Sequence, residues 1–182
     1  MFCREGYHGA SLDRIAAEAG FTTGAVYSTF DSKADVMLAL LASRAERTRA
    51  DWAEILADAQ TVEDFVVESA RRLAARVVGE REWSAVAVEF TIVVGRDEEL
   101  RFRYAELHEE SRSALAASVR TWAERTGQPS SIPPRRLATA VIALSRGLVL
   151  EGLVAPDEVP DEFVVEAHLT LLRGARADGA GQ

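Results

Sequence analysis

Residues 20–33, GFTTGAVYSTFDSK, are the part of this chain whose side chains are best suited to bind another molecule. The segment carries short hydroxyl side chains, one tyrosine and the only lysine of the protein, and it has no acidic residue before Asp31. Such side chains hydrogen-bond phosphates and the edges of bases. If the segment forms a helix, its outward residues are Thr23, Gly24, Tyr27, Ser28 and Thr29, with Lys33 adding a positive charge nearby.

Two short helices joined by a glycine turn must position these residues. Ser11 is suited to cap a helix that contains Leu12 and Ile15, and Gly20 is suited to the left-handed turn after it. Thr22 is suited to cap the second helix. This order predicts a helix-turn-helix at about residues 11–30, a motif that places its second helix in the major groove of DNA. The alternative is a small helical hairpin with a solvated polar face.

The remainder of the chain predicts an all-α fold. Apolar residues recur three and four positions apart in every long segment. We expect an N-terminal helix-turn-helix domain at 1–47 and a larger helical domain at 48–182. The segment 83–94 is apolar on nearly all sides and is therefore expected to be buried. A small polar segment at 175–182 is expected to fray.

Composition narrows the possible classes of protein. The chain has 182 residues, 48% of them hydrophobic, which is ample for a packed core. Its net charge of -8 argues against a surface that is basic throughout, although five basic and six acidic residues nearly balance in residues 1–47. The single cysteine, Cys3, cannot form an internal disulfide, which fits a cytoplasmic location. We expect no membrane partner, because no uninterrupted apolar run reaches about 18 residues.

An enzymatic function is not indicated. The three histidines, His8, His108 and His168, lie in separate segments, and the chain has neither a metal-ligand spacing nor a phosphate-binding glycine loop. We therefore expect no catalytic residue, metal or cofactor.

Charged residues inside apolar segments are the candidates for a small-molecule site. Glu89 interrupts the apolar segment 85–94, and Arg146 interrupts the segment 138–150. A buried charge needs a partner, so these two residues could pair with each other or contact a ligand. Alternatively, either reaches solvent, and the aromatic residues nearby belong to the core. The candidate effector-binding residues are Trp83, Glu89, Phe90, Tyr104, His108 and Arg146.

The segment 135–154 predicts a helix with two apolar faces. One face carries Leu137, Val141 and Leu148, and the other carries mostly small residues such as Ala143 and Gly147. A second apolar face indicates a partner helix, and small residues allow close approach. Together with the segment 161–173, it is expected to form the interface of a symmetric homodimer. The alternative is that both faces are internal.

The N-terminal residues resemble the tetracycline-repressor (TetR) family of bacterial regulators. The resemblance is carried by GYHGASL at 6–12, IAAEAG at 15–20 and the segment 20–33, which match the family pattern at nearly every fixed position. It implies a homodimeric repressor that binds a palindromic DNA operator and is released by a small-molecule effector, with 48–182 as a helical ligand-binding and dimerisation domain. It also implies DNA contacts by Thr22, Thr23, Gly24, Tyr27, Ser28, Thr29 and Lys33, with Tyr27 and Lys33 mainly on phosphates.

Two features depart from the family pattern. Family members begin with a full helix, whereas only a short remnant precedes Gly6. We expect Leu12, Ile15, Val26 and Phe30 to lose cover, so that either the natural chain begins upstream of Met1 or this chain binds DNA poorly. The alternative function is a helical ligand-sensing or interaction module with weak or no DNA binding. The second departure is the neutral Thr23, where many relatives carry a basic residue.

Overall fold

The fold is all-α, as the periodicity predicts. A computed structural model describes residues 1–176, so the predicted polar segment lies mostly outside the described residues. The helices of the described part and their bounds are α1 Phe2–Gly9, α2 Leu12–Glu18, α3 Thr23–Tyr27, α4 Lys33–Asp58, α5 Val62–Gly79, α6 Arg81–Val94, α7 Glu98–Thr126, α8 Pro134–Val154 and α9 Asp161–Gly174, with a 3₁₀ turn at Pro156–Glu158.

Local capping signals determine where the N-terminal helices begin. The Ser11 hydroxyl accepts a hydrogen bond from the backbone N–H of Arg14 at 3.4 Å, at the start of α2. Thr22 accepts from the Ala25 N–H at 3.2 Å, at the start of α3. Each cap satisfies one of the backbone donors that a helix leaves free in its first turn. The predicted starts of the helix-turn-helix are therefore confirmed.

The N-terminal helices share one core with α6 and α7. Phe2 and Tyr7 of α1 are buried in it, and Leu12 is only 6% exposed. The expected loss of cover is therefore wrong for Leu12, because α1 is long enough to supply both aromatic rings. Partly buried apolar residues packed on the same core include Ile15, Val26 and Phe30.

Helix α4 joins this core to that of the larger C-terminal bundle. Val36 and Met37 lie in the N-terminal core, whereas Trp52 and Ile55 pack with α5, α7, α8 and α9. Because α4 is one continuous helix, the predicted boundary between residues 47 and 48 falls within it. Helix α4 therefore contributes residues to both cores.

Helix α6 is less buried than its apolar sequence predicts. Val86, Phe90 and Val94 are buried on one side, but Ile92 is 57% exposed and most other residues of α6 are half-buried. The expectation of a fully buried helix is wrong because one side of α6 borders a cavity and another reaches the surface.

Helix α8 has one face in the core and one on the surface. By length and mean hydropathy alone it would qualify as a membrane span, but it packs against α5, α6, α7 and α9. Leu137, Val141 and Leu148 are buried, as predicted for the core face. The exposed small and apolar residues on the other face of α8 and at the start of α9 are Ala143, Gly147, Leu150, Leu153, Val154 and Phe163.

The buried His168 makes the stability of the bundle sensitive to pH. Its Nδ1 lies 2.7 Å from the carbonyl oxygen of Val164, and its Nε2 lies 2.9 Å from the Ser145 hydroxyl. Burial lowers the pKa of His168 below its ordinary value, although the bond to Val164 opposes the shift. The unfolded chain therefore binds the proton more readily, so stability is lost as the pH falls below about 6.5 toward the folded pKa.

We expect the free energy of unfolding to fall between pH 7.5 and 5.5, with His168 contributing at most about 1.4 kcal/mol per pH unit. Urea unfolding at both pH values measures it. His168→Asn should reduce the pH dependence, whatever its effect at pH 7.5. The same pH dependence in wild type and His168→Asn would contradict this prediction.

Candidate DNA-binding surface and ligand cavity

Helix α3 presents its polar residues on an open surface. Gly20 has a φ of 75°, which lets the chain turn sharply between α2 and α3. No residue of α3 is buried, and Tyr27 is 48% exposed. A Cβ built on Gly24 would meet no atom within 4 Å, so another molecule can approach the backbone there. The structure thus brings together at this surface Thr22, Thr23, Gly24, Tyr27, Ser28 and Thr29, all of them exposed.

The side chain of Lys33 forms its hydrogen bonds within the protein. Its Nζ donates hydrogen bonds to the carbonyl oxygens of Tyr7 at 2.6 Å, His8 at 3.3 Å and Ala10 at 2.8 Å. The ammonium also lies 4.5 Å from the centre of the Tyr7 ring. Burial lowers the pKa of Lys33, and the charge of Glu89 opposes the shift. The expectation that this ammonium points to a phosphate does not match the geometry, because free carbonyls at the end of α1 already engage it.

The other basic side chains near α3 also have partners within the chain. Arg4 Nη2 lies 2.5 Å from a carboxylate oxygen of Glu18. Arg14 forms a bidentate ion pair with Glu5, with N–O distances of 2.6 and 2.7 Å. In residues 1–43 these two arginines and Lys33 are the only basic residues apart from histidine. The surface around α3 is therefore rich in hydroxyls rather than in free positive charge.

A cavity of about 230 Å³ lies inside the C-terminal bundle, between α4, α5, α6, α7 and α8. Its wall is mostly aliphatic and aromatic, with four hydroxyl side chains and two arginines. The residues that line it are Thr48, Trp52, Leu73, Arg76, Val77, Trp83, Ser84, Ala87, Val88, Ser111, Leu115, Val141, Ile142, Ser145, Arg146 and Val149. An apolar enclosure with a few polar groups is typical of small-molecule sites.

Four of the six candidate effector residues lie at this place. Trp83 and Arg146 line the cavity itself. They also line an adjoining space of about 270 Å³, together with Tyr104 and His108. Arg146 Nη2 donates a hydrogen bond to the Tyr104 hydroxyl at 2.9 Å, which joins two of the candidates directly.

Burial is the largest cause that lowers the pKa of His108, followed by the charges of Arg146 and Arg112. Its Nδ1 accepts a hydrogen bond from Arg112 at 3.1 Å. Because the imidazole accepts this bond in its neutral form, the arginines carry the positive charge of the site. The sequence analysis missed Arg76, which donates to Thr48 at 2.5 Å and pairs with Asp51. Its position between the core residues Leu73 and Val77 was the available signal.

The other two candidates, Glu89 and Phe90, do not line the cavity. The carboxylate of Glu89 accepts hydrogen bonds from the backbone N–H groups of Tyr7 at 2.8 Å and His8 at 3.0 Å. Phe90 is fully buried, with its ring centre 4.9 Å from that of Tyr7. The expectation that all six candidate effector residues share one site therefore does not hold for these two. Glu89 binds α1 rather than Arg146, because α1 offers free backbone donors, and its side chain remains partly exposed to solvent.

Gly6 makes the contact of Glu89 with α1 possible. It interrupts α1 with φ 71° and ψ 174°, a conformation that is essentially restricted to glycine. A Cβ at this position would lie 2.9 Å from Oε2 of Glu89. The kink therefore exposes the N–H groups of the following residues and leaves room for the carboxylate that binds them.

These features define a helix-turn-helix protein whose C-terminal bundle contains a cavity suited to a small molecule. The similarity of the chain to known proteins supports the same class. Residues 1–40 match the family "Bacterial regulatory proteins, tetR family", and residues 75–175 match "BetI-type transcriptional repressor, C-terminal". The chain belongs to the TetR family of transcriptional regulators.

The HTH-type transcriptional regulator SrpR from Pseudomonas putida is 40% identical over 67 residues, or 37% of this chain. This similarity covers 32% of SrpR, so the chain matches about a third of that relative's length.

Similar solved structures cover nearly the whole chain. A TetR-family regulator from Rhodococcus sp. has a TM-score of 0.78 and 22% identity, covering 97% of this chain and 92% of that one. FadR from Bacillus subtilis, solved in complex with stearoyl-CoA, has a TM-score of 0.75 and 16% identity, covering 95% and 92% of the two chains. These similarities show the fold.

Proposed function

We propose that this protein is a cytoplasmic, sequence-specific DNA-binding repressor that a small-molecule effector releases from its operator. The observation that carries the proposal is the surface of α3, which has solvent-exposed hydroxyls, an exposed tyrosine and no acidic side chain. Such a helix can enter the major groove, where hydroxyls contact both phosphates and base edges. The alternative of an interaction module without DNA binding is not favoured, because α1 is present and supports the helix-turn-helix.

The homodimer is part of this proposal. The exposed apolar faces of α8 and α9 support it, because Val154 is 85% exposed and Leu153 is 51% exposed. Small residues such as Gly147 allow two copies of α8 to pack closely. A two-fold dimer presents two copies of α3, which suits the half-sites of a palindrome one turn of DNA apart, roughly 34–36 Å.

Packed aromatic rings connect the ligand cavity with the helix-turn-helix. Tyr104 accepts a hydrogen bond from Arg146, and its ring centre lies 5.9 Å from that of Phe90. Phe90 in turn packs on Tyr7, whose backbone is held by Glu89 and Lys33. A ligand that moves Arg146 or Tyr104 thus acts on residues packed against α1. This arrangement supports release of DNA by an effector, with both sites biasing the same packed element.

The test is binding of the protein to a palindromic fragment from the promoter next to its own gene. We expect Tyr27→Ala to weaken binding at least about tenfold, because it removes a phosphate contact. Stability should change by less than about 0.5 kcal/mol, because the side chain is half exposed. Fluorescence anisotropy measures the affinity, and urea unfolding measures the stability.

Phe102→Ala on α7 is the matched control, because it removes another exposed aromatic ring outside the helix-turn-helix and should leave DNA affinity unchanged. Unchanged affinity of Tyr27→Ala would remove the mechanism proposed for α3. The same titration gives the stoichiometry, which we expect to be two chains per palindrome. One chain per palindrome would rule out the dimeric complex.

A further inference from the structure

The two arginines of the cavity differ in how their charge is compensated. Arg76 pairs with the carboxylate of Asp51. Arg146 has no carboxylate within 4 Å in residues 1–176, and its hydrogen bond there to a side chain goes to the neutral hydroxyl of Tyr104. A half-buried guanidinium without an acidic partner is incompletely compensated. Arg146 therefore has donors available to an anion.

The surroundings of Arg146 favour an anionic group over a cationic one. Among the described residues, the wall of the 230 Å³ cavity contains no aspartate or glutamate. The hydroxyl of Ser84 lines the same cavity and can donate a further hydrogen bond, whereas Ser111 and Ser145 already donate to backbone carbonyl oxygens of their own helices. The lowered pKa of His108, partly caused by the charge of Arg146, is consistent with a positive potential at this place. Carboxylate and phosphate both match the planar fork of an arginine, and the carboxylate is the smaller of the two.

The rest of the wall selects the body of the ligand. Trp52, Leu73, Val77, Val141 and Val149 offer aliphatic and aromatic surface away from the arginine. A volume of about 230 Å³ is smaller than the roughly 300–1,000 Å³ of typical drug-sized sites. It suits a short chain or a single ring.

We propose that the effector is a compact amphipathic carboxylate that forms an ion pair with Arg146 while its apolar body fills the cavity. The role of the carboxylate as an effector rests on the proposed regulatory function, whereas its binding to the cavity can be measured without DNA. A carboxylate on the available donors of Arg146 lies beside Tyr104, whose hydroxyl accepts a hydrogen bond from the same guanidinium. Tyr104 packs against Phe90, at the junction with α1.

Isothermal titration calorimetry without DNA tests the proposal with three probes that share one apolar body: octanoate, octan-1-ol and octylammonium. We expect saturable binding of octanoate below about 1 mM, at least roughly tenfold weaker binding of octan-1-ol, and no binding of octylammonium. Arg146→Gln should abolish the preference for octanoate over octan-1-ol, and Arg146→Lys should retain part of it.

The control is Arg136→Gln, which removes an exposed arginine from the first turn of the same helix and should leave all three affinities unchanged. The proposal is overturned if octanoate does not bind, if octan-1-ol or octylammonium binds as well as octanoate, or if Arg146→Gln keeps the preference. Because no DNA is present, a failure of operator binding leaves this result intact. Conversely, operator binding without octanoate binding overturns only the effector class.

Discussion

Gly6→Ala is expected to lower the free energy of unfolding by about 2–4 kcal/mol. The backbone conformation at Gly6 costs a residue with a Cβ roughly 1–3 kcal/mol. In addition, the new Cβ would lie 2.9 Å from the Glu89 carboxylate and displace it from the N–H groups of Tyr7 and His8. A buried donor that loses its acceptor costs about 1–3 kcal/mol, less where water replaces it. Urea unfolding measures the change, and operator affinity should fall with it.

Gly79→Ala is the matched control for Gly6→Ala. It adds the same methyl group at the end of α5, where φ is not positive and no atom lies within 4 Å, and should be neutral or slightly stabilising. A double-mutant cycle with Glu89→Ala separates the two costs. Without the carboxylate, Gly6→Ala should retain only the backbone strain. An equal cost in both backgrounds would mean that the methyl group does not displace Glu89.

Lys33→Met is expected to lower stability by about 1–2 kcal/mol and to leave the salt dependence of DNA binding unchanged. Methionine keeps an unbranched, largely apolar side chain but removes the ammonium that binds the carbonyl oxygens of Tyr7, His8 and Ala10. The estimate is at the lower end for bonds to a charged group because Lys33 is only half-buried. Urea unfolding gives the stability, and the slope of log K against log salt counts the phosphate contacts.

The opposite result is expected if Lys33 contacts a DNA phosphate, as the family resemblance implies. In that case the salt slope would fall by about 0.9, and stability would hardly change. Thr23→Lys is the positive control, because it adds one charge to the exposed surface of α3 and should steepen the slope by about the same amount. A steeper slope in that variant shows that the assay detects the release of a single additional counterion from DNA.

Local signals in the sequence predicted the helix-turn-helix and most helix ends. Ser11 and Thr22 cap their helices within three residues, so the pattern is complete in a short stretch of sequence. The left-handed Gly127 ends α7 for the same local reason. Arg146 was predicted as a cavity residue because a charge within an apolar helix must find a polar partner.

The contacts between distant segments could not be predicted in the same way. Glu89 binds backbone groups 82 and 81 residues away, and backbone donors carry no sequence signal. The contact of Lys33 likewise depends on carbonyls that α1 leaves free at its end. For α6, an apolar sequence could not distinguish a helix in close-packed core from one beside a cavity.

The internal pairing of Arg4, Arg14 and Lys33 affects how a regulator would search a genome. Bulk DNA attracts proteins mainly through free positive charge, and these three basic side chains already have partners within the chain. Few copies would then be held on random sequence, and the protein would slide little along the duplex. A small number of molecules per cell would suffice to occupy a single operator, at the expense of a slower first encounter.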